Sequence, residues 1–211
     1  DTKTNITGCI DPSVAKDIVN VLQNRGMDLN FILNTHHHQD HVGGNQELKE
    51  IYNCKIIGCY DDQNRIPGID IKLKNSEEFN IGESVFKVID TPGHTIGHIC
   101  FYFKDQNFLF CGDTIFSLGC GRLFEGSYEQ MTESILKIRS LPDSTKIFCG
   151  HEYTESNARF AEFLDPGDDL LKMKILNIKK DRLESKPTIP ATLGEEKKLN
   201  PFMKFDNQEY L

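Results

Sequence analysis

An α/β layered domain continuing into a helical tail is the fold class this 211-residue sequence predicts, on three observations. Short apolar runs alternate with helical spacing through the first sixty or so residues, the rhythm of a layered sheet-and-helix domain. The middle of the chain is richer in strand-like runs that end in turns. Beyond Tyr153 helical spacing takes over. The boundary therefore falls near residue 153, with residues 1–153 as the first domain and 154–211 as a helical second one.

Each element has its own signal. Ile10-Asp11-Pro12-Ser13 ends a strand and opens a helix whose apolar stripe is Val14, Ile18 and Leu22, spaced four apart. Phe31-Ile32-Leu33 is a short strand that delivers the chain into a histidine-rich loop. Gly43-Gly44 begins a polar helix ending near Asn53, and residues 54–58 form the next strand. Residues 85–89 alternate, 99–103 follow, and Lys104-Asp105-Gln106-Asn107 is the turn that pairs the latter with 108–111 as a hairpin. Residues 128–140 have helical spacing through Met131, Ile135 and Ile138, and 146–149 form a last strand. In the tail, helices over 158–164 and 170–183 are separated by Asp165-Pro166-Gly167, and Pro187 and Pro190 follow.

Composition excludes several classes of function. Hydrophobic content of 38% and charged content of 27% fit a soluble globular chain. No apolar run approaches the roughly 18 to 20 residues that span a bilayer, so no membrane association is expected. A net charge of −8 argues against nucleic acid, which needs a basic footprint. It also requires any anionic substrate to find a local positive side chain. The seven cysteines are odd in number, form no CxxC pair and lie mostly in apolar strand-like runs, so they are read as reduced structural thiols. On the same grounds the Asn5-Ile6-Thr7 sequon is read as incidental. A monomer in the cytoplasm is expected, with an organellar location left open because the chain begins at Asp1.

All seven histidines fall in three short segments. These are Thr35-His36-His37-His38-Gln39-Asp40-His41, Thr91-Pro92-Gly93-His94-Thr95-Ile96-Gly97-His98 and Cys149-Gly150-His151-Glu152-Tyr153. Neutral imidazole is the commonest protein metal ligand, and such clustering points to metal. In an extended loop alternate side chains share a side, so His36 and His38 can grip one ion while Asp40 and His41 face a neighbouring position. His94 sits in a Pro-Gly turn, Asp113 ends the strand before Thr114, and His151 follows Gly150. His37 and His98 fall outside the alternation and are read as supporting groups, as are Gln39 and Glu152. Five histidines and two aspartates exceed what one tetrahedral site uses. They suit two divalent ions sharing a carboxylate, a pair that clamps an oxygen nucleophile. The mixed imidazole and carboxylate donors suit zinc, iron or manganese, with zinc expected first.

These residues resemble the ligand set of the metallo-β-lactamase superfamily. Within it the nearest resemblance is to glyoxalase II, the hydroxyacylglutathione hydrolases. The resemblance covers most of the chain and includes Gly112-Asp113-Thr114-Ile115-Phe116, Gly119-Cys120-Gly121-Arg122-Leu123-Phe124-Glu125-Gly126 and, in the tail, Asn200-Pro201-Phe202-Met203. It implies an αββα sandwich followed by a helical substrate-binding domain. It also implies that His36, His38 and His94 hold one metal, that Asp40, His41 and His151 hold the second, and that Asp113 bridges. Asp40 and Asp113 thereby become the catalytic carboxylates. Substrate contacts are implied at Arg122, Phe124 and Tyr153. Arg122 is also the cation that the charge argument requires.

Three departures from the family pattern stand out. Phe124 replaces a tyrosine found in some members, leaving backbone contacts there. The first strands of the family's first sheet are not found after Asp1. Where the chain stops, soon after Asn200-Pro201-Phe202, full-length members continue into a basic stretch that binds the glutathione carboxylates, with which Lys197, Lys198 and Lys204 do not align. The reaction implied is hydrolysis of a 2-hydroxyacyl thioester of glutathione, typified by S-D-lactoylglutathione in methylglyoxal detoxification. A mononuclear iron persulfide dioxygenase, or a thioesterase not specific for glutathione, is the alternative on the same scaffold.

Overall fold

The computed structural model describes residues 1–206. The last five residues of the expected tail domain lie outside the described residues. Strand β1 (Gly8–Ile10), helix α1 (Ala15–Arg25), β2 (Phe31–Leu33), a single helical turn α2 (Gln39–Val42), α3 (Asn45–Tyr52), β3 (Lys55–Cys59) and β4 (Ile71–Leu73) come first. The four strands form a parallel sheet in the order β1-β2-β3-β4. Next come β5 (Glu78–Ile81), β6 (Ser84–Asp90), β7 (Ile99–Phe103) and β8 (Phe108–Gly112). A small hairpin of β9 (Ile115–Phe116) and β10 (Gly119–Cys120), helix α4 (Tyr128–Arg139) and β11 (Lys146–Cys149) follow. The tail contains α5 (Thr154–Leu164), α6 (Asp169–Leu183), β12 (Ala191–Thr192), α7 (Leu193–Leu199) and a 3-10 turn at Pro201–Met203.

Strand periodicity builds the four layers. On β2 and β3, Ile32 and Ile56 face Ala15, Leu22 and Leu48 of the helices, while Leu33 and Ile57 face Phe86, Val88 and Phe101 of the second sheet. On β7, Cys100 and Tyr102 point the other way, to Ile135 and Ile138 of α4. Successive side chains on opposite faces thus give helix, sheet, sheet, helix, the expected αββα order. The second sheet runs β12-β11-β8-β7-β6-β5. Strands β6, β8 and β11 run the same way within it, so their carboxyl ends share one edge, where the second histidine segment, Asp113 and the third histidine segment begin.

The structure corrects two local expectations. Val14 is 53% exposed just ahead of α1, and the buried stripe is carried by Ala15 and Leu22 with Ile18 packed alongside. Asp40 and His41 are not in an extended loop: they lie on α2, a helical turn that swings His41 inward and leaves Asp40 exposed.

The tail is not wholly helical and returns to the sandwich. Strand β12 pairs with β11, and Ala191, Leu193 and Met203 pack with Ile135 and Ile147. Glu196 of α7 is fully buried. It accepts hydrogen bonds from Leu118 N (2.8 Å), Ser117 Oγ (3.1 Å) and Asn200 Nδ2 (3.0 Å). Burial pushes its carboxyl up to about 7 from 4.5, against those bonds and the charge of Lys174. The folded chain therefore holds a proton that the unfolded chain has already lost over this range. The contribution is complete below pH 4.5 and is lost as pH rises through about 7. Glu196→Gln is expected to remove this slope. Thermal unfolding from pH 5 to 8 should show parent stability falling relative to the variant, and parallel curves would contradict the assignment.

Candidate metal centre

The seven donors named from the sequence converge at that shared edge. His38 Nδ1 lies 3.1 Å from His36 Nε2 and 3.0 Å from His94 Nε2. Nearby, His151 Nε2 lies 3.2 Å from both His41 Nε2 and Asp40 Oδ2. Asp113 faces both sets: Oδ1 is 3.4 Å from His41 Nε2, and Oδ2 is 3.5 Å from His94 Nε2 and 3.4 Å from His151 Nε2. The groups His36-His38-His94 and Asp40-His41-His151 each have a ligand atom apiece within 4.8 Å of one another.

Surrounding groups fix which nitrogen is free on three of the rings. Arg122 O, which can only accept, lies 2.8 Å from His94 Nδ1, so that nitrogen carries the proton and Nε2 keeps its lone pair. His41 Nδ1 donates to Asp11 Oδ2 at 3.0 Å in the same manner. Thr35 Oγ donates to Asp11 Oδ2 (2.6 Å) and so accepts from His36 Nδ1 (3.0 Å). Lone pairs of His36 and His94 thus both point at His38 Nδ1, whose one hydrogen cannot serve both. Such an arrangement fits a cation.

Protonation follows the same logic. Burial holds His36, His38 and His94 below their ordinary pKa, in the neutral form that binds metal. For His41 burial opposes charge, but the Asp11 hydrogen bond and the nearby carboxylates outweigh it and raise the pKa. His151 is raised by its bond to Asp113. Burial works to raise the Asp113 carboxyl, yet the bond from His151 and the surrounding imidazoles bring it below its usual value. Asp113 Oδ1 is buried without a hydrogen-bond partner, an orphan acceptor that a cation would satisfy.

His37 and His98 lie outside this cluster. His37 Nδ1 bonds Asp62 Oδ2 at 2.9 Å. His98 is buried, and burial pushes it down to about 3. Its Nε2 accepts from Asp113 N (3.1 Å) and its Nδ1 faces Thr91 Oγ (2.8 Å). Its lone pair is spent on positioning Asp113.

The cluster opens into a cavity of about 620 Å³ lined by His38, Asp40, His94, Asp113, His151, Phe116, Arg122, Phe124 and Tyr153. That is the size of a small-molecule site. The exposed Arg122 side chain makes no hydrogen bond or ion pair among the described residues. Phe124 is 65% exposed and stands edge-on to the rings of His38 and His94. Its amide donates to His94 O (3.1 Å), so the backbone N–H is committed and the ring is what the cavity meets. Tyr153, just ahead of α5, stacks on His151 with centroids 4.8 Å apart.

Comparison with known proteins agrees with this geometry. Residues 12–151 match the metallo-beta-lactamase superfamily, and residues 152–210 match the hydroxyacylglutathione hydrolase C-terminus. The hydroxyacylglutathione hydrolase of Methylococcus capsulatus is 49% identical over 203 residues, covering 96% of this chain and 79% of that protein. The one from Pelagibacter ubique is 47% identical, covering 99% and 87%. The chain belongs to the hydroxyacylglutathione hydrolase family of the metallo-β-lactamase superfamily. The superfamily binds divalent metal, and this chain carries donors for it. Among solved structures, ETHE1 from Myxococcus xanthus superposes with a TM-score of 0.73 at 24% identity, covering all of this chain and 79% of that one. A B3 metallo-beta-lactamase, BLEG-1, gives 0.68 at 24%, covering 92% and 86%. At that identity both establish the fold alone. No helix among the described residues is long and apolar enough to cross a membrane.

Around the centre, several residues act that sequence reasoning missed. Asp11 braces Thr35 and His41, its oxygens taken up by Thr35 N, Thr35 Oγ and His41 Nδ1. Asp62, almost fully buried, joins His37 to Arg65; Arg65 forks onto Glu125, and Glu125 accepts from Ile96 N at 2.8 Å. This network ties all but the third histidine segment to the Arg122-Phe124 stretch. Glu152 ties the third to the tail, accepting from Thr188 N at 2.9 Å. The seven cysteines are all free, and burial raises the five whose shifts are largest, Cys9, Cys100, Cys111, Cys120 and Cys149, well away from reactive thiolate.

Proposed function

We propose that this cavity hydrolyses the thioester of S-2-hydroxyacylglutathiones, S-D-lactoylglutathione being the type substrate, with two divalent ions, zinc first, held by the seven donors. The observation that supports it most is that Asp113 faces both imidazole sets, Oδ1 toward His41 and Oδ2 toward His94 and His151, beside the cavity that Arg122 lines. His36, His38 and His94 would hold one ion, Asp40, His41 and His151 the other, and Asp113 both. When bound, the pair supplies Lewis acidity that lets water ionise near neutrality and polarises the thioester carbonyl.

The protein's own residues do the rest. Asp40, exposed at the cavity mouth with Oδ2 beside His151 Nε2, orients the attacking water. Arg122 is the charged donor for the anionic substrate in an acidic protein. The Phe124 and Tyr153 rings form apolar walls that exclude water from the acyl group. The leaving thiol has a pKa near 8.5, so it departs as thiolate and no strong general acid is needed.

Loss of thioester absorbance with S-D-lactoylglutathione, run beside oxygen uptake with glutathione persulfide, tests the reading. Turnover of the thioester without oxygen uptake is expected, and the reverse pattern would replace the hydrolase by the dioxygenase. Arg122→Ala is expected to raise KM roughly 10-fold or more, the worth of a hydrogen bond to a charged group, with a smaller change in kcat. An unchanged KM would remove Arg122 from the substrate.

A further inference from the structure

The β9–β10 hairpin forms one wall of the cavity, yet its tip belongs to the tail. Leu118 takes a left-handed backbone conformation (φ 58°) and buries its side chain completely among Ala158, Ala161, Leu171, Ile175 and Leu199. The tip's polar groups are taken up by three tail residues. Glu196 accepts from Leu118 N and Ser117 Oγ. Asn157 Nδ2 donates to Ser117 O at 3.0 Å. Asn200 Nδ2 donates to Phe116 O (3.2 Å), Gly119 O (3.0 Å) and Glu196 Oε2 (3.0 Å), so one amide gathers both strands and the acid. Three residues after the tip the chain reaches Gly121, whose N–H donates to Thr114 O (3.2 Å), and then Arg122. Phe116, on the other strand, lines the same cavity.

Such a contact is costly to keep. A carboxyl with no exposed surface carries a desolvation penalty that an apolar side chain would avoid. A left-handed leucine adds strain. What these devices hold in common is the hairpin's position, and none of their hydrogen bonds goes to a metal donor.

We propose that Glu196 and Asn200 are positioning residues for substrate binding: from the tail they clamp the β9–β10 hairpin so that Phe116 and Arg122 face the cavity. The inference rests on the reading of Arg122 as a substrate contact. It predicts that breaking the clamp raises KM while metal content is kept. The neutral amide of glutamine preserves the clamp: its oxygen accepts from Leu118 N and Asn200 Nδ2, and its NH₂ donates to the Ser117 hydroxyl, which rotates to accept.

The test measures kcat and KM for S-D-lactoylglutathione, metal per chain and thermal stability on full-length Glu196→Ala, Asn200→Ala, Glu196→Gln and Arg122→Ala. Glu196→Ala and Asn200→Ala are each expected to raise KM about 5- to 10-fold, with metal content at the parent level and kcat within about 2-fold. Glu196→Gln is expected to keep the parent KM. If Arg122→Ala raises KM and the two clamp variants do not, the positioning role is wrong and the contact serves folding alone. Loss of metal in step with activity would overturn it as well. If Arg122→Ala leaves KM unchanged, the substrate reading fails and takes this inference with it. Should Glu196→Ala not fold, Asn200→Ala decides, since it leaves the buried carboxyl bonded to Leu118 and Ser117.

Discussion

Asp113→Asn is expected to reduce metal binding to no more than one ion per chain and to cut kcat by more than about 100-fold, beyond the roughly 10- to 100-fold typical of residues that only support a ligand. The substitution keeps the shape of the side chain and removes its charge. Oδ1 faces His41 and Oδ2 faces His94 and His151, so whichever position the amide NH₂ takes, one cation loses a carboxylate oxygen and the NH₂ donates instead to an imidazole lone pair that would have held the ion. The raised pKa of His151, set chiefly by Asp113, should fall in the same variant. Its measurement is metal content by elemental analysis alongside kcat. An Asp113→Asn enzyme with two metals and the parental rate would refute the bridging role.

Gly150→Ala is expected to have the next largest effect, through space alone. A Cβ there would overlap Asp113 Oδ1 and come 2.7 Å from His41 Cε1. The backbone is tied at this point, because Gly150 N donates to Gly112 O at 2.9 Å, just past the irregularity at Phe148 and Cys149 where β11 pairs with β8. The atoms that must move are therefore the donors themselves. Metal affinity and kcat should each fall by about 10- to 100-fold, the range seen when ligand orientation is lost, while circular dichroism stays that of the parent. Parental metal content and rate in this variant would mean that the Asp113 and His41 positions have slack that the geometry does not show.

Much of this was legible in the sequence where a signal is local. The bounds of β7 and β11 agree with the strands read at residues 99–103 and 146–149. All seven proposed donors lie together because each histidine segment and Asp113 follow strand ends, which a layered fold gathers on one edge. What stayed hidden has physical reasons. Helix α2 has four residues, Gln39–Val42, too few to show a 3.6-residue period. Strands β9, β10 and β12 have two residues each, below any alternation. The Asp62-Arg65-Glu125 brace joins positions up to 60 residues apart, and no local pattern marks such a pairing. Glu196 sits in Glu195-Glu196-Lys197-Lys198, a charge run that reads as a solvated face, yet α7 turns that one carboxyl inward. The Arg122 and Phe124 positions came from family resemblance, and the structure adds that the Phe124 amide is already committed to His94.

The central claim is that two divalent ions, not one, form the working centre. Metal-free full-length protein titrated with zinc, with S-D-lactoylglutathione turnover followed at each step, tests it directly. Activity should rise to its maximum only at two equivalents per chain. Full activity at one equivalent, with no further gain from the second, would contradict the account.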